Sequence, residues 1–460
     1  MKGLRTAVNN TITFKNSQGN SARGVLLKLN RNTIVLEVYN PYSIVQLSEV
    51  LSELKVMRGE KVIYNGKAVV NTLLNTGLML IVSATLVDTW RDLAELESTD
   101  SIESEIRYFI EDWNSSSHIN PGYRLIVGEI RSFLSAFHRW LEQFDVREET
   151  SLTMDNMYNA LFPAIQEQLT NLFIKFESET HLVPKESLTA HKAYAQSNIH
   201  PLTLRSPFVH RCFSKPLGYA GDYEMVNMML RNPREGEGLY NQLVNTFYLE
   251  TSTSIAHRNR IEILVDTLTR SAEKAASENK TLRILNIACG PAIELQRFSQ
   301  NPLSKRCRFE LLDFNQETLK YTERMLKNST LVKDMSNFSF IYKSVHDLLK
   351  ETRQHGDVSN ENTYDLVYCA GLFDYLSDKV CSKLIRLFYR WAKPGGKVVL
   401  TNVHDNNPIK GLMEHLLEWY LVYRDEAGMA KLADDMQGKS TFVDETGLNI
   451  FLEIPKEQEA

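Results

Sequence analysis

Cysteine is scarce in this chain. Among 460 residues there are five, Cys212, Cys289, Cys307, Cys369 and Cys381, and no CxxC pair. An odd, scattered set is neither a disulfide framework nor a zinc pattern, so the expectation is free thiols in a reducing cytoplasm and no metal. Glycine (21) and proline (13) are also sparse, which excludes collagen-like and linker-like architectures. The longest strongly apolar run, Gly77 to Val87, has 11 residues, against about 20 for a membrane-spanning helix. Residues 1–17 hold no apolar core of signal-peptide length. Neither sign of charge dominates: 52 basic against 57 acidic side chains give a net charge of -5. The basic footprint of a nucleic-acid binder is absent, so no nucleic acid is expected as a partner.

What remains has the texture of a soluble protein, 43% hydrophobic and 24% charged, long enough for about three domains. The first stretch is rich in short β-type runs, NTITFKN, GVLLKLN, TIVLEVY, EKVIYNG, KAVVNTLL and LMLIVSATLV, separated by turn signals such as NSQGN and NPYS. That spacing predicts a small antiparallel barrel or sandwich. The middle reads as helical. Between Leu125 and Phe144 apolar residues recur at three- and four-residue steps, and NMYNALFPAIQEQLTNLFIKF carries a similar stripe. The last part alternates strands and helices, which predicts a parallel sheet covered on both faces. No internal repeat is present.

The last part also carries the chemistry. In TLRILNIACGPAIELQRF a hydrophobic strand from Arg283 to Ile287 runs into the small-residue loop Ala288-Cys289-Gly290-Pro291-Ala292, and a helix starts at Ile293. Small side chains let a ligand approach the backbone, and a helix start offers free N–H groups. Without GxGxxG no dinucleotide pyrophosphate is indicated. A second strand, RCRFELLDFN, ends at Asp313, 23 residues after Gly290. An acid at the end of the second strand is where an α/β fold hydrogen-bonds a ribose diol. FSFIYKSVHDLL is a third strand closing on Val345, His346 and Asp347. YDLVYCAGLFDYL is a fourth, opening into Ala370-Gly371-Leu372-Phe373. WAKPGGKVVLTNV is a fifth, and STFVDETGLNIFLEI reads as a hairpin of two more.

This series, over about 200 residues from Ile255 to Pro455, resembles the class I S-adenosylmethionine-dependent methyltransferases, with their seven-stranded Rossmann-like sheet and terminal antiparallel hairpin. The resemblance implies S-adenosylmethionine as cofactor. Ala288, Gly290 and Pro291 would line its methionine moiety and Asp313 would take the ribose hydroxyls. Phe314 would stack near the adenine, with His346, Asp347 and Leu348 at the adenine edge, and Ala370 and Gly371 would complete the site. Two positions depart from the family: Ala292 stands where glycine is common, and Asn286 where an acid is common.

A narrower resemblance rests on FSKPLGYAGDYEMVNMMLRN (213–232), SIAHRNRIEIL (254–264) and AGLFDYL (370–376). The trio is similar to the bacterial extracellular-factor 3-hydroxypalmitic acid methyl ester biosynthesis family, and a helix over Trp419 to Arg424 fits the same pattern. That resemblance implies a fatty-acid carboxyl as methyl acceptor. An ionised carboxylate needs no general base; it needs orientation and an apolar tunnel. Candidate donors to it are Tyr219, Tyr223, Arg258, Tyr375 and His404, with Phe373, Tyr375, Trp419 and Tyr420 as tunnel residues. A hydroxyl or amine acceptor would instead need a base, for which His404 or Asp374 are first choices. Each candidate has a plainer reading. Asp222 could simply N-cap a helix. Arg258 could bind the donor's carboxylate, or Arg258 and Arg260 could both form surface ion pairs.

The first stretch, with SARGVLLKLNRNTIVLEV, resembles the PilZ domain, the bacterial cyclic-di-GMP-binding barrel. The RxxxR arm is missing near Arg5, and Leu29-Asn30-Arg31-Asn32-Thr33 replaces the second signature element. Phosphate-gripping arginines are therefore lacking, and cyclic-di-GMP is not expected to bind. The expected layout is a PilZ-like β-barrel domain over 1–95, a helical or lid domain over 96–250 and an α/β Rossmann-like, seven-stranded methyltransferase domain over 251–460. The expected function is methyl transfer to a small hydrophobic acid, the carboxylate of a 3-hydroxy fatty acid, giving a methyl ester. The alternatives are a methyltransferase for another small molecule or natural product, and a cyclic-di-GMP-responsive regulatory protein with a vestigial methyltransferase module. A homo-oligomer is compatible with either.

Overall fold

In the computed structural model the chain forms two compact units, residues 1–220, 232–248 and 408–420 in one, and 221–231, 249–407 and 421–460 in the other. The structure describes residues 10–30, 32–38, 45–58, 61–75, 79–88, 118–143, 154–328, 335–351 and 360–458, with a few between 103 and 111. The NPYS turn signal, Arg5, Arg31 and Phe144 lie outside the described residues.

The N-terminal unit contains a closed antiparallel barrel, not a sandwich. Strands β1 (Asn10–Lys15), β2 (Ser21–Leu29), β3 (Thr33–Val38), β4 (Val50–Arg58), β5 (Lys61–Asn75) and β6 (Leu80–Leu86) close in the order β1-β2-β3-β6-β5-β4. The alternation in β6 buries Leu80, Val82, Ala84 and Leu86 against Ile12, Phe14, Leu36 and Val56. Six sequence runs and six strands agree in number but not in membership. VLSELKVMR is a strand that the runs omit. Its buried residues Leu51, Leu54 and Val56 are spaced three and then two apart, because a register shift between Leu51 and Leu54 interrupts the alternation. EKVIYNG and KAVVNTLL are one continuous strand. Gly66 there is no turn: Asp88 packs so closely, accepting from Lys67 N at 2.8 Å, that a side chain at 66 would collide with it.

Helices Pro121–Glu142, Met154–Thr180, Leu188–Thr203 and Pro207–Ser214 complete most of this unit. The first buries Tyr123, Ile126, Val127, Ile130, Leu134, Phe137 and Leu141. Leu125 (65%) and Trp140 (42%) stay exposed, so the true apolar face is rotated from the one the sequence suggested. Helix Lys410–Leu416 also belongs here. After it, Glu418 adopts φ 49 and its carboxylate meets Lys192 Nζ at 3.3 Å, with the Tyr420 hydroxyl bonded to both side chains. Gln196 Nε2 donates to Glu418 Oε1 at 2.9 Å, and Ser48 Oγ donates to Tyr420 O at 2.9 Å. The network ties the barrel, helix Leu188–Thr203 and the 410–420 segment together.

The second unit is built on a seven-stranded sheet, ordered β12-β13-β11-β10-β7-β8-β9. Its strands are β7 (Leu282–Ile287), β8 (Cys307–Asp313), β9 (Phe338–Tyr342), β10 (Tyr364–Cys369), β11 (Ala392–Val403), β12 (Ser440–Val443) and β13 (Asn449–Pro455). The first five are parallel, and β13 runs antiparallel between β11 and β12. Strand order reverses between β7 and β10, and ligands bind beyond the carboxyl ends of strands at such a point.

Two local expectations fail here. The third strand stops at Tyr342, and Val345, His346 and Asp347 lie in a helix, Val345–Glu351. A capping box starts it: Asp347 Oδ2 accepts from Ser344 N at 3.0 Å, while Asp347 N donates to Ser344 Oγ at 3.2 Å. Trp419 to Arg424 is not a helix. Val422 N donates to Asp374 O at 2.6 Å and Arg424 forms a bridge with His404, so these residues lie extended instead of bonding within their own segment.

Candidate active site

The loop after β7 takes a left-handed backbone at three alternate residues, Ala288 (φ 53), Gly290 (φ 52) and Ala292 (φ 48). Such a backbone costs a non-glycine residue about 1–2 kcal/mol, and strain of this kind concentrates at functional sites. It also explains why glycine suits position 292. The helix that follows is Ile293–Phe298. Gly290 has nothing within 4 Å of where a Cβ would stand, so the loop faces open space there. Gly290 N donates to Asp313 Oδ2 at 3.0 Å, and Asn315 N donates to Asp313 Oδ1 at 2.9 Å. Asp313 is buried at the end of β8, and burial pushes its carboxyl pKa up to about 6 against these backbone donors. Each ionised oxygen keeps a further lone pair for a ligand hydroxyl. Thr322 Oγ1 donates to Gly290 O at 2.7 Å and holds the loop from behind.

Beside Asn286 stands an acid from the helix that follows the loop, Glu294. Asn286 Nδ2 donates to Glu294 Oε1 at 3.0 Å, and Tyr368 OH donates to the same oxygen at 2.7 Å. Glu294 is buried, which raises its pKa. At the end of β10, Gly371 (φ 96) is anchored by its N–H donating to Thr401 Oγ1 at 3.1 Å. Asp374, next along, is buried, its pKa is pushed up to about 6 by that burial, and its Oδ1 accepts from Val403 N at 2.7 Å.

The other sequence candidates separate. Asp313 ends β8, and Ala288, Gly290, Pro291, Phe314, Ala370 and Gly371 stand in loops at the carboxyl ends of β7, β8 and β10. His346 and Asp347 are half-buried at a helix start, whereas Leu348 has its side chain in the core under the sheet, as does Phe373. Tyr375 is half-buried in the 3-10 turn Phe373–Tyr375. His404 lies at the end of β11 with both ring nitrogens engaged: Nδ1 takes Asn406 N–H at 3.1 Å and Nε2 meets Glu426 at 3.0 Å. Tyr223 OH donates to Glu317 Oε1 at 2.9 Å, and its ring stacks on Tyr321. Asp222 caps helix Tyr223–Leu230 by accepting from Met225 N at 2.9 Å. Tyr219 belongs to the N-terminal unit, as do Trp419 and Tyr420.

Two arginines change places relative to expectation. Arg258 is held by main-chain carbonyls and an acid: it donates to Leu249 O at 2.9 Å, Met229 O at 3.2 Å and Glu250 Oε2 at 3.0 Å. Arg260 is not a surface residue; it is 7% exposed. Ala256, Arg260, Leu264, Leu268 and Ala272 fall at every fourth position on the buried face of helix Ser252–Ser277. A cation inside an apolar stripe was the signal in the sequence that marked it. Glu294 lacked any such signal, because one carboxylate in a helix start is ordinary.

No curated protein matches the chain. Among solved structures, a possible exported protein from Bordetella parapertussis is 16% identical, with 65% of this chain and 97% of that one covered and a TM-score of 0.41. Magnesium protoporphyrin IX methyltransferase from Synechocystis with bound S-adenosylmethionine is 14% identical, covering 45% and 82%, at 0.32. The N-methyltransferase NodS from Bradyrhizobium japonicum is 14% identical, covering 44% and 98%, at 0.29. Likenesses this remote carry no argument about function. The family described as "Methyltransferase domain" matches residues 284–396, from β7 into β11. On a sheet of this order, that match makes the second unit the seat of an S-adenosylmethionine-dependent methyltransferase domain.

Proposed function

We propose that this domain methylates the carboxylate of a small hydrophobic acid, of which a 3-hydroxy fatty acid is the form suggested by the resemblance at 213–232. The observation that carries the donor half of this reading is the joined pair of loops at Gly290 and Asp313, opening beyond the carboxyl ends of β7 and β8. Ala288, Gly290 and Pro291 would hold the methionine end, Asp313 the ribose, Phe314 and the start of helix Val345–Glu351 the adenine, and Ala370 and Gly371 the side facing the methyl group.

When bound, the donor supplies an electrophilic methyl on a sulfonium. The acceptor's carboxylate oxygen would take it in one displacement, the C–O bond forming as the S–C bond breaks with the bonding electrons left on sulfur, and no proton would move. The residues' task is therefore orientation and exclusion of water. A carboxylate acceptor also agrees with His404, whose two nitrogens already have partners in the chain and whose role would be positioning. Tyr375 and Tyr223 are the proposed acceptor-side hydroxyls of this unit, with Tyr219 as the further member of the same motif.

The test is methyl-ester formation from labelled S-adenosylmethionine across straight-chain 3-hydroxy acids of increasing length. Each buried methylene is worth about 0.8 kcal/mol, so kcat/KM should climb with chain length. Tyr219→Phe and Tyr223→Phe should lower turnover at least about tenfold, about 1.4 kcal/mol of barrier, with donor affinity within a few-fold. A flat length series with undiminished variants would show the motif to be a structural turn and the acceptor to be something else.

A further inference from the structure

Arg260 is a buried cation with no acid in direct contact among the described residues. Its guanidinium makes no ion pair among the described residues, and its one hydrogen-bonding partner is His257, which takes Nη2 at 2.9 Å. Nε is buried with no acceptor, and Nη1 donates to none among the described residues. The fork lies against Gly371: a Cβ there would stand 3.2 Å from Nη1 and 3.5 Å from Nη2. Burial lowers the pKa of this guanidinium, and the nearby charges of Asp374 and Glu294 oppose that shift. Both acids act on it through space only, their hydrogen bonds going to Val403 N from Asp374 and to Tyr368 and Asn286 from Glu294. His257 is no counter-charge, since an imidazole is neutral or cationic, and burial with the adjacent arginine holds its pKa well below the ordinary value.

A buried N–H without an acceptor is costly, and a guanidinium matches a carboxylate in a two-pronged geometry. We propose that Arg260 binds a carboxylate within the methyltransferase unit, at the end of β10 beside Gly371. This rests on the methyltransferase reading, which offers two carboxylates: the amino-acid carboxylate of the donor and the carboxylate of the acceptor. Gly371 is required there because its position lets the fork approach the backbone that borders the bound ligand. Arg260 is then the residue that recognises the acidic end of one substrate.

Calorimetry on the full chain separates the two sources. The probes are S-adenosylhomocysteine, which carries the amino-acid carboxylate, and 5′-methylthioadenosine, which shares its adenosine and sulfur but lacks that group. If Arg260 holds the donor, Arg260→Gln should weaken S-adenosylhomocysteine at least tenfold and leave 5′-methylthioadenosine within twofold, with Arg260→Lys intermediate. Retained 5′-methylthioadenosine binding also shows that the variant is folded. If Arg260 holds the acceptor, both affinities stay and KM for 3-hydroxyhexadecanoate rises at least tenfold with kcat little changed. Equal loss of both nucleosides, or no change in any of the three, overturns the proposal. Failure of the wild-type chain to bind S-adenosylhomocysteine would overturn the methyltransferase reading itself, a result distinct from the others.

Discussion

In the proposed donor site the carboxyl group of Asp313 would accept ribose hydroxyls in its ionised form, yet burial lifts its pKa to about 6. Since this lies above the ordinary 3.8, the folded state binds more protons than the unfolded one between those values. The group's contribution to stability is therefore full below about pH 4 and lost as pH rises through about 6. Donor binding runs the other way. Affinity for S-adenosylhomocysteine should be about tenfold lower at pH 5 than at pH 7, and calorimetry on Asp313→Asn should give a flat profile at lower affinity. Asp313→Ala should weaken donor binding by about 1–3 kcal/mol, the cost of a lost charged hydrogen bond. Unchanged affinity would remove Asp313 from the site. At Gly371, φ 96 excludes a comfortable side chain, and a methyl would press on Arg260. Gly371→Ala should destabilise the protein by about 1–2 kcal/mol in thermal unfolding and weaken whichever carboxylate ligand Arg260 binds.

Within the elements, the sharpest energetic demand falls on helix Leu188–Thr203. Its Lys192, 2% exposed, pairs with Glu418 and Tyr420 inside the N-terminal unit, and Lys215 Nζ close by donates to Leu417 O at 3.0 Å. Burial lowers the Lys215 pKa to about 8. Removing one partner of such a pair leaves a buried charge, so Lys192→Met should cost about 3–5 kcal/mol in denaturant unfolding. Lys192→Met combined with Glu418→Gln removes both members of the pair and should recover part of that loss, with Lys215 left as the buried cation of the cluster. A double variant as unstable as the single one would show that packing of the lysine stem, not charge, is what matters.

At the scale of the molecule, the KPxGYAGDYE motif straddles the two units. Lys215 to Ala220 belong to the first, where Val50 N donates to Gly218 O at 2.8 Å, and Gly221 to Arg231 belong to the second. The stretch 408–420 likewise leaves the methyltransferase chain for the N-terminal unit before the chain returns at Leu421. Among the described residues no helix is long and apolar enough to cross a membrane. The barrel is closed, but both arginines of interest for phosphate binding, Arg5 and Arg31, fall outside the described residues. Cyclic-di-GMP at tens of micromolar should leave the melting temperature unchanged, since a ligand of the native state must raise it; a saturable rise would overturn the reading of the barrel as degenerate.

The series of strands along the chain and the loops at Gly290 and Asp313 were legible in the sequence because their signals are local. A strand, a small-residue loop and a helix start at 283–293, and an acid ending the next strand at Asp313, are contiguous patterns. The same locality misled where a neighbour overrode it. Backbone donors to Asp374 and Val403 kept 422–424 extended, and pairing with Leu54 of β4 carried the strand through Gly66, whereas the capping box at Ser344 and Asp347 was itself a local signal that the strand reading passed over. Arg258 and Arg260 are two residues apart and alike in sequence. Only the fold decides that one faces carbonyls and an acid while the other is enclosed beside Gly371, because which face of a helix is buried depends on what packs against it.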